Sequence, residues 1–233
     1  MAWVFWLGTF PIFGQQMNSH SARSLALANT SSVLADDWGA IQNPGGLNFN
    51  KYQHNLLISY HNRYLTYGIH DGNFGYGISF GKFNAAAVVS YFGDNLLNQT
   101  KASTSASQEV GFARFGLRVN YHQVYLQDFG TNKAFSLDLG GVFTISPELI
   151  LGLEIINISQ SKFLGESENE VPSVMKLGLA YLPIDEFRIH VQLDKDLNRD
   201  TDFRAGVEYT FNTNFRIATG MSLVNPVAHG GIG

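Results

Sequence analysis

Large apolar residues alternate with small or polar ones at every second position through most of the chain, the signature of strands with one greasy and one polar face. Phe74, Tyr76, Ile78 and Phe80 share one face, opposite Gly75, Gly77 and Ser79. Phe135, Leu137, Leu139 and Phe143 oppose Ser136, Asp138 and Gly140, and Leu149, Leu151, Leu153 and Ile155 oppose Gly152 and Glu154. Met175, Leu177, Leu179 and Tyr181 oppose Lys176, Gly178 and Ala180, and Phe187, Ile189, Val191 and Leu193 oppose Arg188, His190, Gln192 and Asp194. Two more stretches set Phe203, Val207, Tyr209 and Phe211 against Arg204, Gly206 and Glu208, then Phe215, Ile217 and Met221 against Arg216, Ala218 and Gly220.

Tight turns and longer polar connections alternate between these strands. Residues 146–147, 183–185 and 212–214 read as tight turns, and 159–172 and 194–202 as longer loops. Extending the alternation upstream makes 128–133 and 93–108 loops on the long-loop side, with a hairpin turning near 114–116 between them. Asp71-Gly72 reads either as a hairpin turn or as a bulge in one long strand.

Alternation of this kind suits a soluble β-sandwich or a transmembrane β-barrel, since both set one face against an apolar medium. Composition separates them. Only 15% of the 233 residues are charged, while 24 are Gly, 18 Phe and 10 Tyr; soluble domains carry about 25% charge and about 7% Gly. The polar faces are mostly Gly, Ala and Ser, which suits a crowded concave interior better than a solvated surface. Asp138, Glu154, Lys176, Arg188, His190, Arg204, Glu208 and Arg216 are therefore expected to face a lumen, where opposite charges satisfy one another. Outside residues 1–13 no stretch approaches the ~20 apolar residues of a membrane helix, and the net charge of -4 gives no footprint for nucleic acid. The absence of cysteine excludes a disulfide scaffold. The expected fold is an all-β, antiparallel transmembrane β-barrel with about eleven or twelve strands present, at home in a bacterial outer membrane.

Residues 1–14 read as a signal peptide, with a buried N-terminal strand as the alternative. Residues 15–50 do not alternate, and 33–41 contains helix formers enough for about two turns, ended by Asn43-Pro44-Gly45-Gly46. This stretch carries a motif: Ser21-Ala22-Arg23-Ser24-Leu25, then Ala35-Asp36-Asp37-Trp38, then Asn43-Pro44-Gly45-Gly46-Leu47. It resembles the N-terminal signature of PorV/PorQ-like outer-membrane proteins, part of the FadL-like barrel group, with Gly45 where that family usually has Ala. The resemblance implies that 15–50 folds into the lumen as a helical hatch, with Arg23, Asp36, Asp37, Trp38, Asn43, Pro44 and Gly45 as its motif residues. It implies that 51–233 is the barrel, with about fourteen strands in the complete family fold, so that two or three C-terminal strands are expected to be missing. It further implies a part in type IX secretion, through binding secretion-system proteins or secreted cargo, whereas FadL-like relatives move hydrophobic small molecules. A third reading is a secreted β-sandwich binding module.

No enzymatic role is expected. The chain has no G-x-S-x-G, H-E-x-x-H, P-loop or dinucleotide fingerprint, and neither a cofactor nor a metal site is expected. Asp194, Asp196, Asn198, Asp200 and Asp202 invite a calcium reading, but the EF-hand pattern fails at its sixth and twelfth positions and a solvated loop is the better reading. His122 and His190 fall on polar strand faces, where a lumen hydrogen bond is the better expectation than a metal. An apolar pocket lined by Leu25, Leu27, Val33 and Ile41 would favour small-molecule passage; a lumen filled by charge pairs would count against it.

Overall fold

The computed structural model describes residues 21–49, 52–62, 68–164, 170–211, 215–224 and 228–232; the leader 1–14 and the turn 212–214 lie outside these. One antiparallel sheet holds twelve strands, each bonded to its chain neighbours, in the order β1 to β12. They are β1 His54–His61, β2 His70–Phe80, β3 Phe83–Gly93, β4 Leu97–Val110, β5 Ala113–Leu126 and β6 Gly130–Ser146, followed by β7 Leu149–Ile156, β8 Val174–Ile184, β9 Phe187–Asp196, β10 Asp202–Phe211, β11 Phe215–Ser222 and β12 Ala228–Ile232. Among the described residues β1 pairs only with β2, and β12 only with β11.

The faces are inverted relative to a soluble protein. Leu56, Ile58, Tyr60, Phe74, Tyr76, Phe135, Leu177, Val207, Ile217 and Met221 all point outward and are exposed, while Arg118, Asp138, Glu154, His190, Gln192 and Glu208 are buried on the inner face. An apolar surface running over consecutive strands is not stable against water. Near the long-loop end the outer face gives way to the exposed Lys133 and Lys195.

The structure departs from the sequence reading, or decides it, at several points. Residues 97–108 are not a loop but most of β4, in register with β3 and β5 throughout. The adjoining hairpin turns at Gly111-Phe112, so Arg114 to Gly116 lies inside β5. Pro183 belongs to β8, and Asp71-Gly72 lies within β2. Helix is also scarcer and elsewhere: α1 is Ala22–Ala26, and 33–41 holds only the 3-10 turn Asp37–Ala40, followed by a second at Pro44–Gly46.

The reason for the missing helix is space. Residues 30–34 run against β7 and β8, where Gly152 and Gly178 face Ser32 so closely that a Cβ at either would meet it at under 3.0 Å. A helix about 10 Å wide cannot lie in that gap. The same close approach repeats around the sheet: a Cβ at Gly77 would strike Phe49, at Gly116 the Pro44 carbonyl, at Gly140 the Asn43 side chain and at Gly220 the Leu27 backbone. Several of these glycines are direct cross-strand partners, Gly116 with Gly140, Gly152 with Gly178 and Gly206 with Gly220. One segment thus touches inner-face positions from β2 to β12, and the sheet curls around it. Gly45 has its own reason, because a Cβ there would meet the Gly140–Gly141 backbone.

This packing is directly testable. Gly116→Val is expected to displace the segment at a cost of about 1–3 kcal/mol, as overpacked interiors do, read as a lower melting temperature and new proteolytic cuts within 21–49. Gly72→Ala, where a Cβ has ordinary room at 3.4 Å, is expected to leave both unchanged.

Candidate functional site

The candidate site is the inner face of the sheet together with residues 21–49. Two apolar clusters seat the ends of this segment. Ala26, Leu27 and Leu34 pack with Ala218, and Ala40, Ile41, Leu47 and Phe49 pack with Leu57, Ala86 and Val88, with Trp38 against them. Leu27, Val33 and Ile41 therefore do not gather around one apolar pocket; each is buried in separate contact with the sheet.

Between the clusters the segment has little regular structure, so its backbone groups need partners from outside. Inner-face side chains supply them. Arg118 donates to the Gln42 carbonyl, Arg204 to the Ala28 carbonyl at 3.4 Å and Gln192 to the Asn29 carbonyl at 3.2 Å. Gln192 also accepts from the Ser32 N–H at 2.9 Å. Ser107 donates to the Leu47 carbonyl at 2.6 Å, and Asn84 accepts from the Phe49 N–H at 3.2 Å. Asn43, fully buried, caps the second 3-10 turn through the Gly45 N–H and donates to the Gly141 carbonyl at 3.2 Å.

Three groups of ion pairs involve the inner-face residues that surround this segment. In the first, Arg118 bridges Asp138 at 2.7 Å and Glu154 at 3.2 Å, and Glu154 also takes Lys176 at 3.0 Å. In the second, Arg204 bridges Asp202 at 2.7 Å and Asp194 at 3.2 Å, while Ser222 donates to Asp202. The aspartates that invite a calcium reading are thus divided, with Asp194 and Asp202 turned to an arginine. In the third, Glu208 receives both prongs of the Arg23 guanidinium, at 2.8 and 2.9 Å, and has Arg216 at 3.6 Å and Arg188 at 3.8 Å.

The N-terminal motif meets the sheet through this third group. Arg23 also pairs with Asp36 at 3.2 Å, whose other oxygen accepts from the Trp38 N–H and so caps the first 3-10 turn. Burial and the charge of Asp36 raise the pKa of Asp37 above its ordinary value. Pro44 and Gly45 lie against the inner face of β5 and β6.

Asp138, Glu154, Lys176, Arg188, His190, Arg204, Glu208 and Arg216 lie on the sheet face that residues 21–49 pack against, but their pairings were beyond sequence reasoning, as were Arg118 and the gripping role of Gln192. His122 reaches Ser136 Oγ at 2.8 Å. His190 departs from expectation: neither ring nitrogen has a hydrogen-bond partner among the described residues. Its register opposite Gly206 leaves no side chain directly across from it on β10. A cavity of about 490 Å³ opens at the tight-turn end beside Phe49, Tyr52, Phe80, Lys82 and Glu109, and Glu109 is paired there with Arg114 at 2.6 Å.

No known protein-family model matches the chain, and no match is found among curated protein sequences. Solved structures do resemble it. The TodX monoaromatic hydrocarbon channel, in a deltaS2 mutant, superposes with a TM-score of 0.70 at 12% identity, over 92% of this chain and 84% of that one. The KdgM porin gives a TM-score of 0.42 at 12% identity, over 72% of this chain and 89% of that one. The first likeness is one of fold, that of an antiparallel β-barrel.

Removing the shared anion tests the third group. Glu208→Leu is expected to cost about 3–5 kcal/mol, the usual penalty for orphaning buried charge, and Asp36→Ala no more than about 1 kcal/mol because its side chain is partly solvated. Unfolding of the detergent-solubilised protein measures both.

Proposed function

We propose that this chain is a β-barrel of the bacterial outer membrane whose lumen is closed at rest by its own N-terminal segment, the hatch. The observation that carries this reading is the combination of an outward apolar face on consecutive strands with an inner face that is polar, paired and filled by residues 21–49. Strands alternating apolar-out and polar-in are what a lipid-embedded barrel requires. In this setting the short turns face the periplasm, the longer loops the exterior, and Lys133 and Lys195 reach toward headgroups.

Within that frame we favour a protein that acts on other proteins, in the manner the N-terminal motif implies: a PorV/PorQ-type component that binds secretion partners or secreted cargo. Support comes from the ion-paired, hydrogen-bonded grip on the hatch in place of an apolar channel. The second reading, passage of a hydrophobic small molecule as in FadL-like proteins, is favoured by the fold shared with a hydrocarbon channel. It requires the hatch to move, which means breaking the Arg23–Glu208 fork.

Deleting the gene and assaying protein secretion and hydrophobic-substrate uptake side by side separates the two. Loss of secretion with normal uptake is the expected result, and loss of uptake with normal secretion would reverse the order of the readings. Retention of the protein in the aqueous phase without detergent would defeat both.

A further inference from the structure

We propose that Arg188 and Arg216 form an anion-binding site at the tight-turn mouth of the barrel, built to take a carboxylate or phosphate group. Three guanidiniums surround the single carboxylate of Glu208, which is wholly buried, yet among the described residues only Arg23 forms hydrogen bonds with it. Arg188 and Arg216 approach the same Oε1 at 3.8 and 3.6 Å, beyond hydrogen-bond reach, and their side chains remain 34% and 37% exposed. Both sit second in their strands, Arg188 in β9 and Arg216 in β11, on either side of β10.

A second feature points the same way. His190, two residues along β9 from Arg188 and on the same inner face, is 2% exposed with both ring nitrogens unpartnered among the described residues. It lies within electrostatic reach of Glu208 and of all three arginines. The buried Nε atoms of Arg188 and Arg216 likewise have no hydrogen-bond partner among the described residues. Of the carboxylates at this mouth, Glu208 and Asp36 are committed to Arg23, and Asp185 on the turn acts on Arg188 only at a distance. Planar guanidinium forks left with free N–H groups match oxyanions, which they bind in bidentate fashion. The site does not depend on whether the protein transports or recruits, since it uses only groups on β9 and β11.

Calorimetric titration of the full chain in detergent tests it, with inorganic phosphate in one arm, acetate in another, and sodium chloride holding ionic strength constant. Saturable binding at one site per chain is expected in at least one arm, and the arm that saturates identifies the oxyanion. Affinity is expected to fall about tenfold or more in Arg188→Gln/Arg216→Gln, and by a smaller factor in Arg188→Lys/Arg216→Lys, which keeps the charge and loses the fork. Lys82→Gln serves as a control and is expected to bind as the parent does. The heat-dependent shift in gel mobility reports whether each variant has folded, and the lysine pair decides if the glutamine pair does not fold. Absence of saturation in both arms would overturn the proposal, as would parental affinity in a folded variant of either pair.

Discussion

Everything in this structure depends on placing an irregular stretch of backbone inside a curled sheet without leaving its peptide groups unpartnered. A buried, unbonded N–H or C=O costs about 1–3 kcal/mol, and 21–49 contains only five α-helical residues and two short 3-10 turns. The sheet meets this demand in two ways. Its inner face is stripped to glycine where the segment passes, so that backbones approach closely, and it carries Arg118, Gln192, Arg204, Ser107 and Asn84 where the segment presents a group to bond.

The same logic explains the charge pattern. Ions far from bulk water are tolerable only when paired and hydrogen-bonded. Arg118 is the clearest case, 2% exposed, held by two carboxylates and donating its remaining edge to the segment. Because one guanidinium both closes the ladder and grips the segment, the filling of the interior and the stability of the wall are coupled. Arg23 reverses the arrangement, since there the segment supplies the cation and β10 the carboxylate.

The fold was legible wherever the two faces of a strand differ in size. Large apolar residues against small or polar ones mark β2 from Phe74 onward, β6 from Phe135 onward and β7 to β11. β4 was missed for a definite reason: its outer face offers Ala102, Thr104 and Ala106 and its inner face Ser103, Ser105 and Ser107, so periodicity has nothing to register. Misplacing that strand displaced the following turn and hid Arg118 between Leu117 and Val119. Which carboxylate meets which cation depends on cross-strand register, such as Arg118 opposite Asp138 and Arg188 opposite Glu208, and a single sequence does not contain register. The motif residues Arg23, Asp36 and Asn43 were legible as a group, whereas their bonding partners, up to 185 residues away, were not.

The central claim, that 21–49 occupies the interior of a membrane-embedded sheet, is tested most directly by a cross-link. The chain has no cysteine, and a Cβ at Gly178 lies 3.4 Å from Ser32 Cβ, close to the ~3.8 Å typical of a disulfide. In membranes bearing the Ser32→Cys/Gly178→Cys protein, oxidation should join the two thiols nearly completely, detected as a reducible shift in gel mobility. Two free thiols that both react with a membrane-impermeant maleimide would contradict the account.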